Sequence, residues 1–293
     1  MLRLLSHSEI DFVKYDECIE NSMQGTVYAM SWYLDAVFPN WSAYVIGDYD
    51  VVMPIPLKQK FGIKYALQPQ FCQQLGFFSK SWLSKLQAKE LFGKLPFLYS
   101  LCFNSGNVDF CNEKILRPNY VLDLSEEYAV LSGGFSLQCR RNIKKATGYT
   151  QIVGTMQKDD YLSFLTENAG SWMGKVQIPI LTRLIDKAFS AGCAEIMAVR
   201  DENLQALAAV FFLKWRNRMY YLSPVSSEHG KQWQSMTFLL NDIIERNANS
   251  SLLIDFEGSS IESIGNFYTG FGAKNEPYPL ISKNTWMLKL AGR

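Results

Sequence analysis

The sequence predicts an α/β protein: two tandem domains, each a mixed, mostly antiparallel sheet flanked by helices. Three observations carry this reading. The chain has 293 residues, about twice an ordinary domain. Hydrophobic residues make up 48% of it against 19% charged, enough for a core in each half. Apolar patterns of period two and period 3.6 alternate along the second half, the mark of strands interleaved with helices.

The second half is read first. Ser125 followed by Glu126 and Glu127 is a helix start, with acids in its first turn. In FSLQCRRNIKKATG, Phe135, Cys139, Ile143 and Ala146 share one helical face and Arg140, Arg141, Lys144 and Lys145 the other. Thr150–Thr155 is a short strand and Asp159–Ala169 a helix. A further helix begins near Pro179 and closes at Gly192. Three strands follow as a meander, Ala194–Arg200, Leu207–Trp215 and Met219–Leu222, with polar turns between them. Then come a helix over Trp233–Asn247, a buried strand at Leu252–Asp255, a helix over Ile261–Phe271, and two strands, Tyr278–Ser282 and Thr285–Leu290.

The first half reads as a worn version of the same order. Asp11–Cys18 and Ser31–Phe38 are helical. Ser42–Ile46 and Val51–Leu57 form a hairpin around Gly47-Asp48-Tyr49-Asp50. Ile63–Leu67 is a strand, Ser81–Phe92 a helix, and Phe97–Phe103 and Asn119–Leu124 strands. The expected domains are therefore 1–124 and 125–293, a structural duplication without a repeat at the level of sequence.

Composition narrows the function. Basic and acidic residues nearly cancel, 29 against 28, which argues against a protein whose main task is holding nucleic acid, DNA above all, by charge, while leaving room for a local basic patch. No two of the six cysteines have a C-x-x-C spacing, and the two histidines, His7 and His229, are too few for a histidine-rich metal site. The N-terminus has the wrong pattern for a signal peptide, and no apolar run is long enough to span a bilayer. A cytoplasmic location is expected. Aromatic residues make up 14%, read chiefly as core.

Two segments carry a resemblance: RRNIKKA at Arg140–Ala146, and IDFEGSSIESIGNFYTGFGAK at Ile254–Lys274. Together, in this order and with these elements between them, they resemble the bacterial FemABX-like branch of the GNAT superfamily. The likeness covers Ser125–Ile281 and is architectural only over the first half. It implies two tandem GNAT-like domains, the first degenerate, and an N-acyltransferase. Such an enzyme moves an acyl or aminoacyl group from acyl-CoA or aminoacyl-tRNA to a small-molecule or peptide amine. No covalently bound cofactor and no metal are implied.

The candidate site follows. Arg140, Arg141, Lys144 and Lys145 read as a phosphate clamp, or as a solvated helix face. The loop Ser223–Gln232 stands where acyl-CoA-dependent members grip the pyrophosphate. Of their glycine-rich pattern only Gly230 remains, with Ser223, Ser226, Ser227 and Lys231 as further contacts. That departure weakens the acyl-CoA reading and is easier to square with another donor; against a tRNA-borne one stand the lack of a helical arm between the domains and of a general basic surplus. Asp255 and Glu257, at the carboxyl end of a strand, are candidates for the base that deprotonates the attacking amine; Asp255 can equally serve as a cap or an ion-pair partner. Tyr268 is the candidate acid for the leaving group, or an aromatic packed on the sheet. Its spacing to Gly270 is shorter than the GNAT pattern. Tyr220, Tyr221, Trp172 and Trp233 are candidate groove walls, and the acceptor is expected to enter between the two halves. Strands Met219–Leu222 and Leu252–Asp255 are expected to part and leave an amide-lined cleft. The competing reading is a non-catalytic binding protein that keeps the fold.

Overall fold

A computed structural model describes residues 1–286 other than 82, 113, 171, 172 and 260. The chain forms two compact units. One joins Met1–Arg117 to the chain from Pro277 onward; the other is Pro118–Glu276.

The first unit holds the strands β1 (Leu2–Leu5), β2 (Ser42–Ile46), β3 (Val51–Ile55), β4 (Leu57–Lys60), β5 (Ile63–Leu67), β6 (Phe78–Ser79), β7 (Leu98–Cys102), β8 (Ile115–Arg117) and, last in the chain, β16 (Tyr278–Lys283). Its helices are α1 (Phe12–Asn21), α2 (Ser31–Val37) and α3 (Lys85–Phe92). Asp11 caps α1, accepting from the Val13 and Lys14 amides at 3.1 and 3.2 Å. Ser84 and Gln87 form a capping box on α3. One sheet runs β1-β2-β3-β6 and the other β4-β5-β7-β16-β8. Pro56 alone separates β3 from β4; with no N–H to give, it breaks the ladder there.

The second unit holds β9 (Tyr120–Asp123), β10 (Ile152–Thr155), β11 (Ala194–Arg200), β12 (Ala206–Trp215), β13 (Arg218–Ser226), β14 (Leu253–Asp255) and β15 (Lys274–Asn275). They form one sheet in the order β10-β11-β12-β13-β14-β9-β15. Its helices are α4 (Tyr128–Gly133), α5 (Leu137–Ala146), α6 (Lys158–Asn168), α7 (Gln177–Ser190), α8 (Glu228–Gln232), α9 (Ser235–Asn247) and α10 (Glu262–Gly270). The run LAAVFFL in β12 is buried end to end, which requires cover on both faces of the strand. Leu207, Val210 and Phe212 share a core with Cys139 of α5, Leu239, Leu240 and Ile243 of α9, and Tyr268 of α10. Helices α6 and α7 pack on the same strands from outside that core.

The two units share a strand course. From β1 through β2, β3–β4 and β5 each neighbour is antiparallel, β5 and β7 are parallel, and β16 and β8 are antiparallel again. The second unit repeats this from β10 to β13, with β14 parallel to β13 and β9 and β15 antiparallel. The expected duplication is therefore present as topology. In each unit the strand beside the parallel pair comes from the far side of the sequence, β16 in one and β9 in the other. This corrects the boundary expected at residue 124. Tyr120–Asp123 belongs to the second unit and Tyr278–Lys283 to the first, because sheet pairing follows long-range registers that a linear reading does not see.

Smaller corrections follow from local geometry. Glu127 makes no side-chain cap, so α4 begins at Tyr128, after the acids expected inside it. The helix expected over Trp233–Asn247 begins at Ser235, after Gln234 adopts a left-handed backbone, and the short helix α8 precedes it inside the expected loop. The strand expected at Thr285–Leu290 is not formed at Thr285 and Trp286, and its remainder lies outside the described residues.

Candidate functional site

The second unit's sheet opens at its parallel pair. β13 and β14 are in register over Arg218–Leu253, Met219–Ile254 and Tyr220–Asp255. Beyond Tyr220 they part. β13 runs on to Ser226 beside β12, while β14 ends and the Phe256 amide turns to the Tyr120 carbonyl at 2.9 Å. The strands expected to diverge along Met219–Leu222 are thus paired at their start and separate from Tyr221 onward.

A bulge directs the separation. The β12–β13 register slips between Ala209 and Phe211, opposite Leu222–Val225, which bends and twists β13. Ser223 sits there at φ 48°, and across the gap Glu257 is at φ 60°. Left-handed backbone costs a non-glycine residue about 1–3 kcal/mol and gathers at functional sites. Ser223 is the one such residue inside a strand among the described residues. Buried Tyr161 of α6 holds the bulge from below. Its hydroxyl donates to the Ser223 carbonyl at 2.7 Å and also meets the Phe211 backbone. The sequence shows Tyr161 only as one apolar position of a helix.

Asp255 lies at the root of the gap and is 1% exposed. Arg218 meets its Oδ2 at 2.7 Å and Asn119 at 3.3 Å, while the Glu257 amide donates to Oδ1 at 2.9 Å. Arg218 also reaches Glu276 at 3.1 Å. Burial pushes the Asp255 carboxyl up, against the pull of Arg218, the Glu257 amide and Asn119. On Arg218 burial opposes the charge, and Asp255, Tyr220 and Glu276 outweigh it, so the guanidinium is held protonated above its usual range. The pair is ionised: Arg218 lies 2.7 Å from a carboxylate that accepts from three donors. Asp255 is the buried partner of Arg218, with no oxygen turned to the gap for use as a base.

Glu257 is half-buried beside the opening. Tyr268 of α10 is buried, its ring stacked on Phe256 at 4.9 Å and edge-on to Tyr221 at 6.0 Å. Burial, then the charge of Glu257, raises its phenol above the ordinary range. It stays neutral at working pH, able to give a proton rather than to take one. Tyr220 and Tyr221 are buried in the sheet. Trp233 is half-buried and stacks on Tyr149 at 4.5 Å, with exposed His229 against its other side at 6.1 Å. Trp172 lies outside the described residues.

The expected phosphate loop is built differently. Ser223 to Ser226 belong to β13, with Ser226 opposite Ala208, and Glu228–Gln232 is the short helix α8. The Ser227 hydroxyl accepts from the Gly230 amide at 3.1 Å and donates to the Leu207 carbonyl at 3.2 Å. Gly230 is required by packing: a Cβ there would lie 1.9 Å from the Leu207 carbonyl oxygen. Lys231 pairs with Glu228 at 2.5 Å on the surface. Ser227 and Gly230 are thus bound to each other and to β12, and Lys231 to Glu228.

Helix α5 starts from Ser136, which caps the Cys139 amide at 3.1 Å and whose own amide bonds the Gly270 carbonyl of α10 at 2.9 Å. Arg140 is turned inward on the chain, donating to the Gly133 and Phe135 carbonyls at 3.1 and 2.5 Å. Arg141, Lys144 and Lys145 stand exposed with no partner among the described residues. Between α5, α9 and α10 lies a cleft of 490 Å³ lined by Ser136, Cys139, Asn142, Thr237, Asn266 and Phe267 among others. Burial pushes the Cys139 thiol up to about 12, so it is no nucleophile at neutral pH. No cluster of three or more His, Cys, Asp or Glu placed to hold a metal ion occurs among the described residues.

The first unit lacks the opening. Its parallel strands pair from Tyr65–Leu98 to Leu67–Ser100. Gln68 then continues the seam, its amide bonding Ser100 at 2.9 Å and its Oε1 accepting from the Cys102 amide at 3.0 Å. A parallel bridge between Leu75 and Phe103 closes it further on.

A mixed sheet whose central parallel strands part at a bulge, repeated in tandem with one copy closed, is the FemABX/GNAT-like acyltransferase fold. Solved structures with this fold include FemX (TM-score 0.68, 11% identity, 97% of this chain and 99% of that one). A tandem GNAT protein from the clavulanic acid biosynthesis pathway matches at TM-score 0.58 and 10% identity, over 96% and 97% of the two chains. The C-terminal domain of a putative lysylphosphatidylglycerol synthetase from Agrobacterium fabrum matches at 0.57 and 11%, over 95% and 94%. At such identities the likeness is one of fold. No protein-family model matches the sequence, and no curated protein aligns with it.

Proposed function

We propose that the chain is an N-acyltransferase that moves an acyl or aminoacyl group from a phosphate-bearing carrier to an amine, in the gap between β13 and Glu257. The observation that carries this reading is the parting of β13 from β14 beyond Tyr220 and Asp255, flanked by left-handed Ser223 and Glu257. A carbonyl laid along the freed edge of β13 meets main-chain amides that stabilise the charge developing on its oxygen. Glu257 takes the proton of the attacking amine as the new C–N bond forms. Tyr268, kept neutral by burial, returns a proton to the departing oxygen or sulfur. Asp255 keeps β14 in place through Arg218.

The donor is aminoacyl-tRNA. With the α8 segment bound to itself and to β12, the free cations Arg141, Lys144 and Lys145 of α5 are the groups that meet its phosphates. The test is a transfer assay followed by mass spectrometry, with aminoacylated tRNA and acetyl-CoA offered separately to a panel of amines. Aminoacyl amide formed from tRNA, and lost with Arg141, Lys144 and Lys145 all changed to Gln, is the expected result. Titration showing a bound donor and no transfer to any amine favours the non-catalytic binding protein instead.

A further inference from the structure

The five-stranded sheet of the first unit gathers exposed aromatic side chains at one end. β5 pairs parallel with β7, placing Tyr65 opposite Leu98, and β16 runs antiparallel to β7, placing Lys283 opposite Tyr99. The turn between β4 and β5, the start of β7 and the exit of β16 therefore lie at the same end. Phe61 forms that turn and is 92% exposed; Phe97, just before β7, is 59% exposed, and Trp286, just past β16, 60%. The Asn284 side chain donates to the Phe97 carbonyl at 2.8 Å and ties the last two together.

Two further features set this end apart. Phe61 and Gly62 both have positive φ, 50° and 77°, the geometry of a two-residue hairpin turn. Asn or Gly suits the first turn position, and a bulky aromatic is an outlier there. The hairpin also carries Lys58, Lys60 and Lys64, none with a carboxylate partner among the described residues. Lys58 and Lys60 lie over the Phe38 and Phe61 rings at 4.9 and 5.4 Å. The sequence has no Asp or Glu from Val51 through Lys89, in a protein of net charge +1.

We propose that this end of the first unit seats on an anionic lipid bilayer. Phe61, Phe97 and Trp286 enter the headgroup layer, where aromatic rings are stable with one side apolar and one side wet. Lys58, Lys60 and Lys64 meet the lipid phosphates. The charge and the rings select the occupant: two copies of this face would bring their lysines together, whereas aromatic rings at the tip with lysines along the strands behind it match the layers of an anionic bilayer surface. The contact is peripheral, since no helix among the described residues is long and apolar enough to cross a membrane. It stands independently of the transfer reaction.

The full chain is to be sedimented with vesicles of phosphatidylcholine alone and of phosphatidylcholine with phosphatidylglycerol. Binding to the anionic vesicles only is expected. A Lys beside an anionic surface is worth about fivefold, so changing Lys58, Lys60 and Lys64 together to Gln lowers partitioning on the order of a hundredfold. Phe61→Ser lowers it about tenfold. Both changes fall on exposed positions, and circular dichroism checks that the fold is kept. Tryptophan emission shifts to the blue on anionic vesicles, and Trp286→Phe removes that shift. Failure to bind either vesicle overturns the proposal. So does binding that Phe61→Ser leaves unchanged, which marks a site for polyanions rather than for a bilayer.

Discussion

The two sheets follow one strand course and differ at the carboxyl end of the parallel pair. In the first unit Gln68 and the Leu75–Phe103 bridge carry the seam between β5 and β7 onward past Ser100. In the second, pairing stops at Asp255, a bulge bends β13 away, and the Tyr161 hydroxyl bonds the Ser223 carbonyl at the bend. The comparison teaches that topology alone makes no site. The same arrangement of strands is carried on by Gln68 and a further bridge in one copy, and parts at a bulge bonded to Tyr161 in the other. Polar chemistry is divided the same way. Position 100 opposite Leu67 is a serine, whereas Asp255 opposite Tyr220 anchors a buried ion pair.

The sharpest way to break this contrast is Glu257→Gln. Removing a general base is expected to lower turnover about 10²–10⁴-fold, and thermal unfolding of the same variant separates that loss from any loss of fold. Turnover close to that of the parent chain would move the chemistry elsewhere. Next in size is Asp255→Asn, which leaves Arg218 buried without its counter-charge. A loss of about 3–5 kcal/mol is expected in denaturant unfolding. A loss below about 1 kcal/mol would mean the pair is solvated and open. Tyr161→Phe orphans the Ser223 carbonyl, and stability is expected to fall by about 1–3 kcal/mol, with turnover falling further than the stability change explains. Smallest is Gln68→Ala, at about 1 kcal/mol. Here the expected outcome is unchanged transfer activity; impaired transfer would show that the closed seam takes part after all.

Much of the second unit was legible in the sequence. The meander β11–β13 is apolar runs between polar turns, and α5, α7 and α10 show their buried faces at helical spacing. The amphipathic split of α5 placed Arg141, Lys144 and Lys145 on the open face, where they stand. What escaped was long-range. Tyr120–Asp123 and Tyr278–Lys283 look like ordinary strands of the halves in which they occur, and nothing local to either tells which sheet it joins. Arg218 and Asp255 are 37 residues apart, so neither the pair nor its burial is a pattern in sequence. The Ser227–Gly230 segment is ambiguous for a related reason: a small residue beside a helix start suits both an anion and a close backbone approach, and the approach of the Leu207 carbonyl is long-range. The bulge at Ser223 has no glycine to announce it.

The central claim is that ligand enters the parted strands of the second unit and not the closed ones of the first. Backbone amide resonances of the isotope-labelled chain, followed while aminoacylated tRNA or acetyl-CoA is added, test it directly. Shifts concentrated at Tyr221–Val225 and Glu257, with Gln68 and Ser100–Asn104 unmoved, are the predicted result. Shifts at the Gln68 seam with β13 silent would contradict it.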